Sequence, residues 1–245
     1  MTVGWPSELF IIRHAQSAGN LARERALADG AHVIDIAVRD CDVPLSELGE
    51  RQAAALGAWC ARRLEPIDAV VSSPYVRAQE TATIALRAAA WTVPVEVDER
   101  LREKEFGTLD RLTHSGIVQR YPEQAELRRA IGKFYYRPPG GESWTDVILR
   151  LRSLVETLTR EHAGQRVAIV THQVIVLCFR YLLEKLTEAQ LLAIDAAGDV
   201  ANCAVMTYAC DRAADALVLK SYNVVAPMEE AGEPVTRSRD VPRAR

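Results

Sequence analysis

Two histidines and two arginines stand where apolar segments of the sequence end. Arg13 and His14 follow one such segment, and His172 follows a second. Arg77 lies shortly after a third. An imidazole can act as a nucleophile or exchange protons, and guanidinium groups bind phosphate and carboxylate oxygens. These residue types in this pattern indicate chemistry on a negatively charged group.

The apolar segments are typical of buried strands. The sequence predicts strands over Glu8–Arg13, Asp68–Ser72 and Arg166–Thr171, each followed by polar residues and then by a helix. The runs Cys203–Tyr208 and Ala216–Tyr222 resemble a terminal pair at the sheet edge. Carboxyl ends of parallel strands form the ligand crevice of open α/β sheets, and helix N-termini there favour anions. We therefore expect the two histidines and two arginines to meet at one edge of the sheet.

Alternation of strands with helical patterns predicts the fold class. Apolar spacing predicts helices over about Leu48–Leu64, with Ser46 as N-cap, and from Trp144 to Leu158, with Ser143 as N-cap. The expected fold is α/β, with three layers and a mostly parallel, mixed sheet flanked by helices.

Segments that do not fit the alternation define the expected organisation. We predict a single domain over residues 1–226, with cap segments at about residues 21–45 and 113–142, because long polar loops in compact domains are often functional. Residues 227–245 contain proline and scattered charges and are predicted to be a flexible tail. No internal repeat or interdomain linker is evident.

Composition limits the class of protein. The chain has 245 residues and a formal charge of −3, which argues against a nucleic-acid or membrane-surface binder. No apolar run is long enough to cross a bilayer, and the N-terminal residues do not resemble a signal peptide. The five cysteines contain no CxxC, so neither disulfides nor a zinc site is indicated. We expect a cytoplasmic protein without metal or cofactor, and the oligomeric state stays open.

Six short motifs in order along the chain carry a resemblance to a known family. They are Arg13-His14, Asn20, Ser72-Ser73-Pro74 with Arg77, Leu101-Arg102-Glu103 with Gly107, Gly141-Glu142-Ser143, and Thr171-His172. Over about residues 8–185 the chain resembles the histidine phosphatase superfamily, which includes cofactor-dependent phosphoglycerate mutases, broad phosphatases and fructose-2,6-bisphosphatases. The resemblance implies a phosphoglycerate mutase-like fold. Ala15 departs from the pattern, since most members have glycine there.

In this family the first histidine accepts the phosphoryl group, which assigns that role to His14. Its ring must be neutral to attack phosphorus, and the neighbouring arginines disfavour the imidazolium by like-charge repulsion. The phosphoryl oxygens would be bound by the surrounding side chains, namely Arg13, Arg77, His172, Asn20 and Gln173. Because guanidinium groups supply positive charge, no metal is required.

The leaving oxygen needs a proton, and several carboxylates could give it. Four lie between Asp98 and Glu105, and their spacing alone does not choose among them. The resemblance assigns the role of general acid to Glu103. A substrate phosphate nearby would raise its pKa and keep it protonated for the first step.

Residues of the second predicted cap segment resemble the fructose-2,6-bisphosphatase branch. The resemblance implies that Tyr121, Arg128 and Lys133 contact a second phosphate of the substrate. One residue is inserted between the arginine and the lysine, so Arg129 is an alternative to Arg128. Trp144 stands where that branch has tyrosine.

The predicted function is hydrolysis of a phosphate monoester of a small metabolite, with a bisphosphorylated sugar as one candidate. Phosphoglycerate mutase-type transfer is an alternative, because it uses the same phosphohistidine and differs in excluding water. An inactive module that only binds phosphate is the alternative from another class.

Overall fold

The computed structural model describes residues 4–237, which form six strands and nine α-helices. The strands are β1 (Glu8–Arg13), β2 (Ala69–Ser72), β3 (Val95–Val97), β4 (Arg166–Thr171), β5 (Val205–Asp211) and β6 (Ala216–Val224). The helices are α1 (Ala18–Ala28), α2 (Glu47–Arg63), α3 (Val76–Ala89), α4 (His114–Arg120), α5 (Pro122–Ile131), α6 (Trp144–Glu161), α7 (Gln173–Leu183), α8 (Glu188–Ala197) and α9 (Ala226–Ala231). Within this part of the chain no helix is long and apolar enough to cross a membrane.

All six strands belong to one sheet, in the order β3-β2-β4-β1-β5-β6. The first four in this order run parallel, and β5 and β6 add antiparallel strands at one edge. The mostly parallel, mixed sheet and its terminal pair are therefore confirmed. Arg13 pairs with Thr171, and Ser72 pairs with Val170, so β1, β2 and β4 end side by side.

Two details of the sheet differ from the predictions. β5 begins at Val205, because Cys203 has a left-handed backbone (φ 56) and the Ala204 N–H bonds back to the Ala201 carbonyl in a turn. The short strand β3 was not predicted. Its Val97 is 52% exposed, so β3 lacks the continuous apolar run that marked the buried strands.

Side chains of β1 alternate between two cores, one on each face of the sheet. Leu9 and Ile11 pack with α6 and α7, whereas Phe10 and Ile12 pack with α2 and α3. A period of two is the geometry of a strand that is buried on both faces. The predicted three-layer arrangement follows from this alternation.

Both predicted helices begin at their expected caps. The Ser46 hydroxyl accepts from the Gly49 N–H at the start of α2. Ser143 and Asp146 form a capping box at the start of α6. These caps satisfy N–H groups that have no partner within the helix.

The two predicted cap segments contact one another. Part of the first is helical, since α1 extends to Ala28, and the second contains α4 and α5. Val33 bridges to Leu112, and the Thr113 N–H donates to the His32 carbonyl at 3.1 Å. A Cβ at Gly116 would lie 1.9 Å from that same carbonyl oxygen, so this close approach requires glycine.

The expectation of a flexible tail from residue 227 is wrong for residues 227–237. They continue through α9, whose Met228 is fully buried, and Arg51 of α2 pairs with Glu233. Proline-rich composition suggested flexibility, but one deeply buried methionine and specific polar contacts hold this segment. The remainder of the predicted tail, residues 238–245, lies outside the described residues.

Candidate active site

His14 lies directly after β1 and is 2% exposed. Its backbone N–H donates to the Thr171 carbonyl at 2.8 Å, and its Nδ1 lies 2.7 Å from the Ala15 carbonyl oxygen. A carbonyl only accepts, so this contact places the ring proton on Nδ1. The lone pair of the neutral ring is therefore on Nε2.

The environment of His14 favours the neutral ring. Burial lowers the pKa of His14 well below its usual range, and the positive charges of Arg77 and Arg13 lower it further. The Ala15 carbonyl opposes this shift by accepting from the ring. An imidazole that stays unprotonated at neutral pH can act as a nucleophile.

His172 follows β4 and lies beside His14, with 5.1 Å between ring centroids. It is fully buried, and its Nε2 is 2.7 Å from the Ser73 hydroxyl oxygen. Among the described residues its Nδ1 has no hydrogen-bond partner. Burial lowers the pKa of His172, and the charge of Arg77 adds to this effect.

Arg77 is in the first turn of α3 and is 5% exposed. The Asp40 carboxylate binds it in bidentate fashion, with both nitrogen–oxygen distances at 3.1 Å, and the Asp40 carbonyl accepts at 2.6 Å. Asp40 was not predicted, because nothing in its sequence context distinguishes it from a surface carboxylate. Its oxygens accept from both terminal nitrogens of the guanidinium.

We call residues 14–17, between β1 and α1, the His14 loop; Arg13 precedes it, and Asn20 follows it in α1. Arg13 is fully buried, and its guanidinium donates to the Val200 carbonyl at 2.5 Å. Asn20 forms a capping box with Ser17 at the start of α1, which directs its amide towards the loop. Its side chain lines the same cavity as His14.

Glu103 completes that cavity, which we call the catalytic cavity. It is lined by His14, Asn20, Arg77 and Glu103 among others. Glu103 is 4% exposed and lies in the loop after β3. The alternative carboxylate, Glu105, is exposed and accepts from the Tyr75 hydroxyl at 2.8 Å. Glu103, unlike Glu105, therefore lies in one cavity with His14.

A second cavity shares Phe106, Leu109 and Ile117 with the first. We call it the cation cavity, because Lys104, Arg128 and Lys133 line it. Gln173, predicted as a phosphate ligand, lines this cavity instead and donates to Asp199 at 3.1 Å.

Of the predicted second-phosphate residues, Arg128 and Lys133 line the cation cavity and Tyr121 does not. Tyr121 precedes α5 and packs against the small cluster that contains Leu112. Tyr136 lines the cavity in its place. Of the two arginines left open, Arg128 lines the cation cavity, whereas Arg129 is exposed and lines neither cavity.

Two features of the cation cavity were missed. The Lys133 ammonium forms an ion pair with Asp195 at 2.7 Å and lies 5.0 Å from the Trp144 ring centroid. Lys104 is 7% exposed, and burial, followed by the charge of Arg128, lowers its pKa to about 8. Lys104 was not predicted because its position between Glu103 and Glu105 indicated an ordinary surface lysine.

No group of three or more candidate metal ligands occurs among residues 4–237. The five cysteines are free thiols, and Cys60, Cys178 and Cys203 are buried.

The family model "Histidine phosphatase superfamily (branch 1)" matches residues 9–223. The chain belongs to this superfamily. The predicted superfamily and its fold are both confirmed, and the match spans most of the predicted domain.

Relatives of this histidine phosphatase include several kinds of protein. A bifunctional protein of Mycobacterium tuberculosis is 36% identical over 169 residues, which are 69% of this chain and 42% of that protein. A Caenorhabditis elegans 6-phosphofructo-2-kinase/fructose-2,6-bisphosphatase is 34% identical, over 71% of this chain and 33% of that protein. A Methylobacterium radiotolerans 2,3-bisphosphoglycerate-dependent phosphoglycerate mutase is 33% identical, over 75% of this chain and 82% of the mutase. The chain thus spans less than half the length of the first two.

Solved structures share the fold. Mycobacterial glucosyl-3-phosphoglycerate phosphatase in complex with inorganic phosphate superposes with a TM-score of 0.68 and 27% identity, covering 90% of this chain and 99% of that one. YhfR of Bacillus stearothermophilus has a TM-score of 0.72 and 25% identity, covering 90% and 98%.

Proposed function

We propose that this histidine phosphatase hydrolyses a phosphate monoester of a small metabolite through a phosphohistidine on His14. The observation that carries the proposal is the state of that ring. Its Nδ1 is bound to the Ala15 carbonyl, its pKa is lowered by burial and by two arginines, and it lines one cavity with Arg77 and Glu103. This combination suits a nucleophile for phosphorus.

In the first step, Nε2 of His14 attacks phosphorus and the bond from phosphorus to the ester oxygen breaks. Protonated Glu103 gives its proton to the leaving oxygen. Arg13, Arg77 and His172 bind the equatorial oxygens, where charge develops in the transition state. The unpartnered Nδ1 of His172 is suited to such a contact.

In the second step, Glu103 takes a proton from water as the water attacks phosphohistidine. The bond between phosphorus and Nε2 of His14 breaks, and inorganic phosphate leaves. Two displacements replace one very slow hydrolysis, whose barrier an enzyme must lower by on the order of 20 kcal/mol.

The cation cavity would receive the rest of the substrate. Lys104 and Arg128 provide positive charge next to the catalytic cavity, which favours a leaving group with an anionic substituent. Lys133 contributes less than the sequence suggested, because Asp195 neutralises it. The proposal extends to a small phosphorylated metabolite in the cytoplasm, where free thiols such as those here persist.

Rapid quench with a labelled phosphate ester tests the proposal. Phosphate should appear on the protein in a bond that survives alkali and breaks in acid. His14→Ala should abolish the label and reduce turnover by several orders of magnitude. His162→Ala is the matched control, since His162 lies at the end of α6, lines neither cavity and should keep both signals.

Two results would contradict the proposal. Undiminished turnover by His14→Ala would show that His14 is not the nucleophile. Labelling that is followed by transfer to a second sugar rather than to water would indicate mutase chemistry.

A further inference from the structure

The C-terminal part of the described chain reaches the residues that hold the His14 loop. Met228 of α9 is buried in the core beneath α2, and the chain continues from there to Thr236. Thr236 contacts two side chains that are each 0% exposed, Gln52 of α2 and Asn202 of the turn before β5. The mechanism described above uses none of these three.

Gln52 and Asn202 bind the backbone on both sides of Ala15. The Asn202 amide donates from Nδ2 to the His14 carbonyl at 3.0 Å, and Gln52 Oε1 accepts from the Gln16 N–H at 2.9 Å. Loss of either contact would leave a buried polar group without a partner, which is costly. The two amides therefore fix the path of this loop.

The peptide unit between Ala15 and Gln16 connects Gln52 to the His14 ring. The Gln16 N–H and the Ala15 carbonyl belong to one planar unit, so holding one fixes the direction of the other. Gln52 holds the N–H, and the carbonyl accepts from His14 Nδ1 at 2.7 Å. The orientation of that peptide thus determines which ring nitrogen keeps its lone pair.

Thr236 hydrogen-bonds to both amides and, for Gln52, shares the orienting role with the Pro234 carbonyl. Its hydroxyl donates to Asn202 Oδ1 at 2.9 Å and accepts from Gln52 Nε2 at 3.1 Å. A hydroxyl has one proton, so donating to the first amide leaves lone pairs for the second. Pro234 adds a second acceptor for Gln52 Nε2 at 2.8 Å. If Gln52 flipped, its NH₂ would face the Gln16 N–H, donor against donor.

We infer that Thr236 is a positioning residue for the nucleophile, acting through Gln52 and Asn202 on the peptide that sets the tautomer and direction of the His14 ring. Thr236 thereby supports the nucleophile without touching the substrate. This inference rests on the proposed function, because it assumes that His14 is the nucleophile.

Kinetics of three variants test the inference. Thr236→Val should lower kcat for p-nitrophenyl phosphate about tenfold and change KM less than about twofold, since a displaced nucleophile slows attack while phosphate binding persists. Thr236→Ser keeps the hydroxyl and should retain the wild-type kcat. Met228→Ala removes core packing of α9 but none of the hydrogen bonds of Thr236, so it should lower Tm and leave kcat unchanged. If Met228→Ala reproduces the loss and Thr236→Ser does not restore kcat, the segment acts through packing alone and the inference is overturned.

Nitrogen NMR of the histidine rings provides a readout that does not depend on turnover. His14 should be the Nδ1–H tautomer in the wild type and in Thr236→Ser, and a mixture of tautomers in Thr236→Val. A single Nδ1–H tautomer in Thr236→Val would overturn the inference. A wild-type protein that hydrolyses no phosphate ester would instead overturn the proposed function, and the tautomer result would still judge the role of Thr236.

Discussion

The two neighbouring cavities differ in where their charged side chains originate. The catalytic cavity receives His14 from the position directly after β1, and Arg77 from the first turn of α3, which follows β2. The cation cavity receives Arg128 and Lys133 from the second cap segment, and Asp195 from α8. His14 and Arg77 thus come from segments that follow strands, whereas Arg128, Lys133 and Asp195 come from the second cap segment and α8.

The comparison implies that the two cavities bind different parts of a substrate. Under the proposed function, the residues that follow the parallel strands bind the reacting phosphoryl group, which every substrate presents. Under the same proposal, the residues that line only the cation cavity contact the remainder of the substrate, which varies between members of a fold. Changes in the catalytic cavity should therefore affect all phosphate esters, and changes in the cation cavity only some.

The largest expected effect after loss of His14 comes from the proton donor. Glu103→Gln cannot protonate the leaving oxygen, so hydrolysis of sugar phosphates should fall by roughly 10²–10⁴-fold. Formation of the phosphoenzyme from p-nitrophenyl phosphate should fall much less, because nitrophenolate leaves without help. Single-turnover kinetics with both substrates measure the difference. Glu105→Gln is the matched control, and an equal loss from both substrates in Glu103→Gln would place the acid elsewhere.

The cation cavity should act on selected substrates. Arg128→Ala should raise KM for a bisphosphorylated sugar by about ten- to a hundredfold, the equivalent of one charge-assisted contact of about 1.5–3 kcal/mol. Kinetics on p-nitrophenyl phosphate should stay near wild type, and Arg129→Ala should change neither. Lys133→Ala should have a smaller effect than Arg128→Ala, because Lys133 is already paired with Asp195. A similar response of both substrates to Arg128→Ala would mean that the cavity does not bind a second anion.

The same contrast explains what the sequence could predict. The residues after β1, β2 and β4 were found because a buried strand has a strong local signal and parallel strands end together. The positions of His14 and His172 at the ends of two such strands were enough to predict that they share one site. Glu103 required the family resemblance, since neighbouring carboxylates share its local signal.

Contacts between distant segments carry no local signal. The pairs Arg77–Asp40 and Lys133–Asp195 join residues that are 37 and 62 positions apart. The resemblance predicted that Tyr121 contacts the substrate. In the structure Tyr121 directly precedes α5, and its side chain packs against a small apolar cluster. The contacts of Thr236 with Gln52 and Asn202 could not be predicted for the same reason, because composition gives no information about which distant residues a segment contacts.

The Asp40→Asn variant tests whether a change in the catalytic cavity alters KM for every phosphate ester. The Asp40 carboxylate competes with phosphate for Arg77 and repels an incoming dianion. Asp40→Asn should therefore lower KM by up to about tenfold for p-nitrophenyl phosphate and sugar phosphates alike, a shift of about 1.4 kcal/mol. Asp42→Asn is the matched control, because Asp42 pairs with the exposed Arg39. A raised KM in Asp40→Asn would show that the carboxylate orients Arg77 for binding instead.

The smallest expected effect is a pH dependence of kcat/KM that arises in the cation cavity and not in the catalytic cavity. Lys104 has its pKa lowered to about 8 by burial, so it loses its positive charge as pH rises through that value. Lys104 should therefore strengthen the binding of a second anion below about pH 8, where it is positively charged, and not above that pH. Between about pH 8 and 9, kcat/KM for a bisphosphorylated sugar should fall about fivefold, as expected when one protonated group is required. The same ratio for p-nitrophenyl phosphate should stay level, because Lys104 faces the cation cavity and His14 is already neutral. Lys104→Arg should extend the high-affinity range to higher pH, and Lys104→Met should remove the pH dependence by weakening binding throughout. A pH profile of Lys104→Met that still falls between pH 8 and 9 would assign the titration to another group.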